Sequence, residues 1–460
     1  MKTIKLTTVK EPTTYHEVAP VFLTDDTMAQ RQAKILEQLS AAEYDFLVVY
    51  ADKEHRSNFE YLTGFYPRFE EGLLILNQAG EASLVLGNEN LKMAKHARID
   101  TKLYHTPYFS LPNQPMENER PLSDIFTEIG LNTGSKIGVA GWKMFTPKQA
   151  DGKRMLDVPY FIIQALQAAA GQAELHNACD LFIHGSHGAR TVNNANELAH
   201  YEYGANLAST RILQAMNAVK PGIKESELGE ILNGEGQLNS VVTIAAAGSR
   251  FEKANFYPTH KEVQEGQPLS LTIGYKGGLS SRSGFVIEEA NQLPAGQLDY
   301  LDRVVYPYFQ AMTTWLEKTR VGIAGGELYQ AIEEVLPKEI FGWELNPGHL
   351  VADEEWMSSP VYPGSKEIVK SGMIFQIDII PSIAGYQGTS AEECVVLADE
   401  ALQAEIKAQY PELWTRIQTR REYLRNELNI SLSDDVLPLS NTVAYLRPFF
   451  LAKDQALVVE

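Results

Sequence analysis

The chain has 460 residues, of which 44% are hydrophobic and 22% are charged. This length exceeds what one hydrophobic core usually supports, so the sequence predicts two domains. The formal net charge of −19 argues against a nucleic-acid ligand, because phosphates are met by basic clusters.

The cysteines and the hydropathy of the chain indicate where in the cell the protein is located. Cys179 and Cys394 are the two cysteines and lie far apart, so neither a disulfide framework nor a thiolate metal site is expected. The first ten residues, MKTIKLTTVK, lack the apolar region of a signal peptide. No window approaches eighteen consecutive apolar residues. These features predict a cytoplasmic protein that contacts no membrane.

Strand and helix patterns alternate in the first part of the chain. Apolar residues at helical spacing predict a helix over 28–41, and the continuous apolar run 44–51 predicts a buried strand. Segments 59–77 and 82–88 have the composition of further strands. We therefore expect an α/β domain with a mixed or parallel sheet over residues 1–185.

A second domain is predicted over residues 186–460, and it contains a weak internal repeat. A long helical pattern over 197–219 is followed by GIKESELGEIL, which begins at Gly222. A second helical pattern over 298–320 is followed by the related phrase GIAGGELYQAIEEVL. The repeated order indicates two halves related by pseudo-symmetry.

The most unusual segment is 266–287, GQPLSLTIGYKGGLSSRSGFVI, which contains no Asp, Glu or His. Its glycines and its alternating apolar residues are typical of a β-hairpin. A hairpin with these residues offers neither a carboxylate nor an imidazole to a metal ion.

The repeat, the phrase YLTGF (61–65) and the strand-rich second half together resemble the creatinase, prolidase and Xaa-Pro aminopeptidase family. The resemblance extends from about residue 20 to about residue 430. It implies an α/β (α+β) protein with a creatinase-like N-terminal domain and a C-terminal pita-bread domain of duplicated halves with pseudo-twofold symmetry. It also implies a homodimer.

The working peptidases of this family hold two metal ions with two hairpin aspartates, one histidine and two glutamates. The resemblance places Thr272 at the first aspartate position and the second near Leu279–Ser281. His349 in NPGHL corresponds to the histidine, Asp378 to the first glutamate and Glu392 to the last. Two close cations need bridging anions, so a standard two-metal peptidase site is not expected.

The resemblance also suggests further site residues. Catalytic candidates are His349, Glu392 and His260, and substrate-binding candidates are Arg282, Arg68 and Asn255. A second family histidine is replaced at Met357 and Ser358.

Several of these positions also have purely structural interpretations. Asp378 could pair with Arg282 inside the domain, and only one of Glu392 and Glu393 should face inward. The acidic run 353–355 indicates a solvent-exposed surface or, alternatively, a cation site beside His349.

Three functions follow from the resemblance. The first is a catalytically impaired pseudoenzyme that binds a peptide or a protein in the old cleft and needs no cofactor. The second is a metal-independent, creatinase-like hydrolase of C–N bonds in a small amide or amidine, with His349 or His260 acting with Glu392. The third is a mononuclear metallohydrolase with one Zn or Mn ion on His349, Asp378 and Glu392.

Overall fold

The computed structural model describes residues 2–117, 119–171, 174–249 and 257–460. The chain divides into two compact units, one formed by Leu23–Thr191 and the other by Met1–Phe22 together with Val192–Glu460. The sequence placed residues 1–22 in the N-terminal domain, but they belong to the unit of the second half because β1 (Ile4–Thr8) pairs there with the last strand of the chain, Gln455–Val459.

The Leu23–Thr191 unit is built around one six-stranded sheet. Its elements are α1 (Asp25–Ala41), β2 (Phe46–Ala51), α2 (Ser57–Thr63), β3 (Gly72–Asn77), β4 (Ala82–Leu86), β5 (Thr101–His105), α3 (Leu122–Ile129), β6 (Ile137–Ala140), α4 (Tyr160–Ala170), β7 (Leu175–Asn177) and α5 (Asp180–Ile183).

The strand order β5-β4-β3-β2-β6-β7 combines parallel and antiparallel pairs, which confirms the predicted mixed sheet. β2 pairs antiparallel with β3 and parallel with β6. One prediction was wrong: the start of segment 59–77 is helical, because it belongs to α2. That helix ends at Gly64, whose φ of 75° suits a left-handed cap.

The second unit contains two four-stranded sheets and most of the helices. Its further elements are α6 (Ala195–Ala218), α7 (Glu225–Leu232), β8 (Ile244–Ala247), β9 (Pro268–Tyr275), β10 (Gly278–Phe285), α8 (Tyr306–Lys318), α9 (Gly325–Val335), α10 (Lys338–Phe341), β11 (His349–Leu350), β12 (Ile374–Gln376), β13 (Ser390–Glu392), β14 (Cys394–Leu397), α11 (Glu400–Gln409), α12 (Pro411–Asn426), β15 (Val436–Pro438) and β16 (Gln455–Val459).

The predicted hairpin is the centre of the first of these sheets, whose order is β13-β10-β9-β8. Lys276 and Gly277 form its tight turn, and Gly277 has a φ of 104°, which favours glycine. Helix α6 packs on both strands of the hairpin. A side chain at Gly204 of α6 would meet the Lys276 carbonyl, so the helix and the turn approach closely because this residue is glycine.

The internal repeat has a structural counterpart. Gly222 and Gly322 have φ values of 85° and 90°, and each lies in the turn that precedes a helix, α7 or α9. The Gly222 N–H donates to the Val263 carbonyl at 2.8 Å, and the Gly322 N–H donates to the Val369 carbonyl at 2.9 Å. The two phrases therefore form matching turns, each of which bonds to the carbonyl of a valine, as is expected of duplicated halves.

The second sheet of this unit has the order β11-β12-β14-β15 and is antiparallel throughout. Strand β13 ends at Glu392 and β14 begins at Cys394, so Glu393 alone separates the two sheets. None of the helices in the described ranges is long and apolar enough to cross a membrane.

Candidate active site

His349 is fixed by the backbone on both sides of it. It follows Gly348, whose φ is 113°, and the Trp315 indole donates to the Pro347 carbonyl at 2.9 Å. The His349 ring is fully buried, and its Nδ1 lies 3.3 Å from the Leu350 carbonyl. Because a carbonyl can only accept, Nδ1 carries the proton and Nε2 presents its lone pair in the neutral ring.

Glu355 lies on a loop that returns to His349. The Leu350 N–H donates to the Ser358 carbonyl at 2.7 Å, and the Met357 N–H donates to the Leu350 carbonyl at 3.0 Å. These two bonds close the base of the loop and hold its tip near the strand that carries the histidine. As a result Glu355 Oε1 lies 3.3 Å from His349 Nε2.

Glu392 and Asp378 complete the group. The ligand atoms of His349, Glu355 and Glu392 lie within 4.8 Å of one another. Asp378, just beyond β12, places Oδ2 at 3.8 Å from His349 Nε2. The structure thus brings together the three predicted residues His349, Asp378 and Glu392, and it adds Glu355 to them.

Two carboxyl groups of this cluster, those of Asp378 and Glu392, have raised pKa values. Burial raises the pKa of Asp378 to about 6; the nearby His349 opposes the shift and Glu355 adds to it. Burial also raises the pKa of Glu392 well above its ordinary value, and the charges of Asp378 and Glu355 raise it further. For His349, burial lowers the pKa, but the hydrogen bond and charge of Glu355 outweigh burial and raise it overall. Burial and the neighbouring carboxyl groups therefore favour the protonated, uncharged forms of Asp378 and Glu392.

Next to Glu392 lies a row of hydroxyl groups. The strand register places Ser281 directly opposite Glu392 on one side and opposite Thr272 on the other, so the three side chains share one face of the sheet. Thr272 Oγ1 and Ser281 Oγ are 2.9 Å apart and share a hydrogen bond. Ser281 is one of the positions that the resemblance left open for the second aspartate, and it lies in line with Thr272.

Arg282 points to the opposite face and does not reach the cluster. It forms a 2.7 Å ion pair with Glu393, with exposed side-chain fractions of 1% and 0%. Its other donors bond to backbone carbonyls, namely those of Ser281, Glu392, Thr442 and Tyr445. The substrate-binding role predicted for Arg282 is wrong, because the guanidinium has no donor left for a ligand. Its expected pairing with Asp378 is wrong for the same reason.

Part of the second unit matches a known protein family. The sequence profile of Metallopeptidase family M24 matches residues 200–399. Residues 200–399 therefore have the sequence pattern of an M24 domain. A comparison with curated proteins found no match.

Solved structures extend the likeness over most of the chain. The chain resembles a prolidase from Thermococcus sibiricus at a TM-score of 0.62 and 19% identity, covering 81% of this chain and 95% of that one. It also resembles the Xaa-Pro dipeptidase from Bacillus anthracis, at a TM-score of 0.61 and 15% identity, over 81% of this chain and 96% of that one. A third match is dipeptidase PepE from Mycobacterium ulcerans, at 0.62 and 16% identity, over 82% and 94%. At these identities the matches show the fold, and they confirm the predicted creatinase/prolidase-like architecture.

The remaining predicted residues lie apart from the M24 cluster or outside the described ranges. His260 is exposed in the loop before the hairpin and does not belong to the group formed by His349, Glu355 and Glu392. Arg68 is exposed in the Leu23–Thr191 unit, where its N–H donates to the Asn90 side chain at 3.1 Å. Asn255 lies outside the described residues. The roles proposed for His260, Arg68 and Asn255 stay predictions.

Two residues of the cluster were not among the site predictions. Glu355 belongs to the acidic run 353–355, for which a solvated face was the main interpretation, and the closeness of this run to His349 in the sequence was the available signal. Trp356 stacks on the His349 ring at 4.1 Å between centroids with an interplanar angle of 25°, and it remains 39% exposed. It forms an aromatic wall between the histidine and solvent.

Proposed function

We propose that this M24-domain protein binds a peptide or a small amide or amidine ligand beside His349 and does not carry out two-metal peptide hydrolysis. The observation that supports this proposal is the Thr272–Ser281 pair. Thr272 stands where the resemblance puts the first bridging aspartate, Ser281 is one of the positions left open for the second, and their neutral hydroxyl groups bond to each other at 2.9 Å.

Two divalent cations repel each other strongly at the spacing of a two-metal site, about 3.5–4 Å. Bridging carboxylates offset that repulsion. Hydroxyl groups carry no charge and cannot do so, and the nearby Arg282 is already neutralised by Glu393. The residues present therefore do not fit a pair of ions, and ligand binding in this proposal needs no cofactor.

The surroundings of His349 suit a ligand with both polar and apolar parts. Trp356 offers an exposed ring face, and Glu355, Asp378 and Glu392 offer carboxyl groups for amide or amidine N–H donors. Aromatic walls with a few polar groups are typical of small-molecule and peptide sites. The cytoplasmic location and the homodimer expected from the sequence stay predictions.

The test measures bound metal and hydrolysis together. Protein purified with excess Mn²⁺ and Zn²⁺ is analysed for metal content, and hydrolysis of Xaa-Pro dipeptides is assayed in the same buffer. We expect fewer than two ions per chain and no metal-stimulated turnover. Two stoichiometric ions with turnover typical of an enzyme, about 1–1000 per second, would overturn the proposal.

A second candidate function is C–N bond hydrolysis without a metal. It is favoured by the contact between His349 Nε2 and Glu355 Oε1 at 3.3 Å, since an imidazole beside a carboxylate can move a proton to or from a bound ligand. Turnover of guanidino or N-acyl compounds that resists EDTA and is abolished by Glu392→Gln would support it. Turnover lost in EDTA would exclude it.

A further inference from the structure

A cavity lies at the start of α9, in the second copy of the internal repeat. Its volume is about 630 Å³, which is within the range of small-molecule sites, roughly 300–1,000 Å³. It shares no residue with the cluster around His349. Three cationic side chains, two acidic side chains and several small residues line it, so it differs from that cluster in its charge as well as in its place in the fold.

Small residues leave room for this cavity. The positions that line it from α9 and from the preceding turn have larger counterparts in the first copy of the repeat. In the aligned phrases these pairs are Lys224 and Ala324, Ser226 and Gly326, and Ile231 and Ala331. The shorter side chains leave space at the start of α9, whereas the first copy has longer ones at the corresponding start of α7.

The loop 360–369 forms another wall of the cavity and is held against α9 by backbone contacts. The Gly325 N–H donates to the Glu367 carbonyl at 2.8 Å. A side chain at Gly325 would meet the Pro360 carbonyl oxygen, so this close approach requires glycine. The loop thereby brings Lys366 to the lining of the cavity.

The cations of the cavity have no anionic partner in the part of the chain that the structure describes. Lys318, Arg320 and Lys366 are exposed, and none of them forms an ion pair there. Arg320 donates one N–H to the Lys318 carbonyl at 3.3 Å, which leaves the rest of its guanidinium for a ligand. Like charges that line one cavity repel each other, and an anion between them offsets that repulsion. The arrangement therefore favours an anionic ligand.

Two carboxylates line the same cavity. Glu334 accepts a hydrogen bond from Gln330 Nε2 at 3.5 Å. The counterpart of Glu327 in the first copy, Glu227, accepts from the Lys224 N–H at 2.9 Å, but the Glu327 side chain makes no hydrogen bond to a described residue. Its carboxylate is therefore available to hydroxyl or amino donors of a ligand.

We propose that this cavity binds a small phosphorylated molecule, with the phosphate group on Lys318, Arg320 and Lys366. A phosphate ester carries a charge of about −1.5 to −2 at pH 7 and three strong acceptor oxygens, so it can contact several cations at once. Arginine binds phosphate through two parallel hydrogen bonds, and lysine adds a point charge. The net charge of −19 repels anions from most of the surface, so a local group of cations is needed to retain one.

Isothermal titration calorimetry of the full-length protein with glycerol 3-phosphate tests the proposal. EDTA in the buffer removes metal ions that phosphate would bind, and the ionic strength is kept constant because salt screens exposed charges. We expect one molecule per chain with a Kd of about 1 mM or below. Succinate, which carries a similar charge on two carboxylates, should bind at least about tenfold more weakly. Absence of saturable binding by glycerol 3-phosphate would overturn the proposal, and equal affinities for the two compounds would overturn the assignment to phosphate.

Variants locate the binding in this cavity. Ala331→Ile introduces the residue that the first copy has at Ile231, so it fills the cavity without changing the charge and should weaken binding at least about tenfold. Lys366→Gln removes one cation and should weaken binding by a similar factor, about tenfold. Lys407→Gln removes the same charge from an exposed position of α11 and should change the affinity by less than about threefold, so it is the matched control.

Thermal melts of each variant establish that it folds, and Arg320→Gln gives an independent measurement if Ala331→Ile does not fold. Equal affinities of Lys366→Gln and Lys407→Gln would overturn the proposal. Unchanged binding by folded Ala331→Ile would overturn it as well, because the ligand would then lie elsewhere. Neither result bears on the function proposed for the cluster around His349, since the two sites share no residue.

Discussion

Thr272 and Ser281 face each other across the β9–β10 hairpin, and their side-chain oxygens are 2.9 Å apart. The same row continues to Glu392 on β13. A pair of aspartates in these positions would place two negative charges beside a third. The hydroxyl pair instead leaves this part of the sheet neutral and satisfied by its own hydrogen bond, which explains how the hairpin is stable without a cation.

Replacing both hydroxyls with carboxylates should create a dependence on metal. The double variant Thr272→Asp/Ser281→Asp should lose on the order of 3 kcal/mol of unfolding free energy in EDTA, because unpaired charges are then close together at a buried site. Mn²⁺ should restore part of the loss. Urea denaturation at pH 7 with and without Mn²⁺ measures both effects. Thr272→Asn/Ser281→Asn is the uncharged control. The prediction would be contradicted if Mn²⁺ did not change the unfolding free energy of the double aspartate variant.

The Arg282–Glu393 pair should act as a structural unit. Glu393 also accepts hydrogen bonds from the hydroxyls of Ser280 and Thr442, so Arg282→Met leaves a buried carboxylate without its cation. We expect a loss of about 3–5 kcal/mol in the free energy of unfolding. In Arg282→Met/Glu393→Met the loss should be smaller than the sum of the single losses, as a double-mutant cycle would show. If the loss in the double variant equals the sum of the two single losses, the two residues do not act as a pair.

Glu202 should make stability depend on acid pH. Burial alone would raise its pKa, but the charge of Arg420 and the hydrogen bond and charge of Arg416 outweigh burial and lower the pKa below 4.5. The folded-state pKa therefore lies below the unfolded-state value. The carboxylate contributes its full stability above about pH 4.5, and that contribution is lost as the pH falls through the folded pKa.

Unfolding free energies of the wild type and Glu202→Gln between pH 3 and pH 7 check this sign. The advantage of the wild type should be constant from pH 6 to 7 and should shrink towards pH 3. The exposed Glu230 provides the control, since Glu230→Gln should stay within about 0.5 kcal/mol of the wild type. An advantage that grows on acidification would refute the assignment.

Lys276 should stabilise the loop of Glu355 from outside the cluster. Its 3.0 Å ion pair with Asp353 anchors that loop. Lys276→Met should lower the free energy of unfolding by about 1 kcal/mol, because the partly exposed ion pair is lost. Lys276→Arg keeps the charge and should restore most of that stability. Urea denaturation compares the two variants, and equal stabilities would mean that the anchor does not matter.

Many features of the fold could be predicted because they depend on local patterns. The apolar run at 44–51 correctly predicted β2, and the repeated phrases at Gly222 and Gly322 form two matching turns. Segment 59–63 was wrongly predicted as part of a strand because its aromatic and apolar residues suit strands, whereas its helix is fixed by packing and by the Gly64 cap.

The site was only partly predictable. His349, Asp378 and Glu392 could be named from motifs and are brought together. Strand alternation indicated that Glu392 and Glu393 differ, but it could not say which one faces His349. That choice depends on Arg282, since the arginine holds Glu393 on the opposite face.

The sequence by itself determined that segment 266–287 carries no acidic residue or histidine, because composition needs no coordinates. Only the tertiary structure decided what lies opposite that hairpin. Glu355 reaches His349 because hydrogen bonds between Leu350, Met357 and Ser358 close its loop, and the Lys276–Asp353 pair anchors it. The Lys276–Asp353 pair joins residues that are distant along the chain, and no local pattern of side chains encodes it.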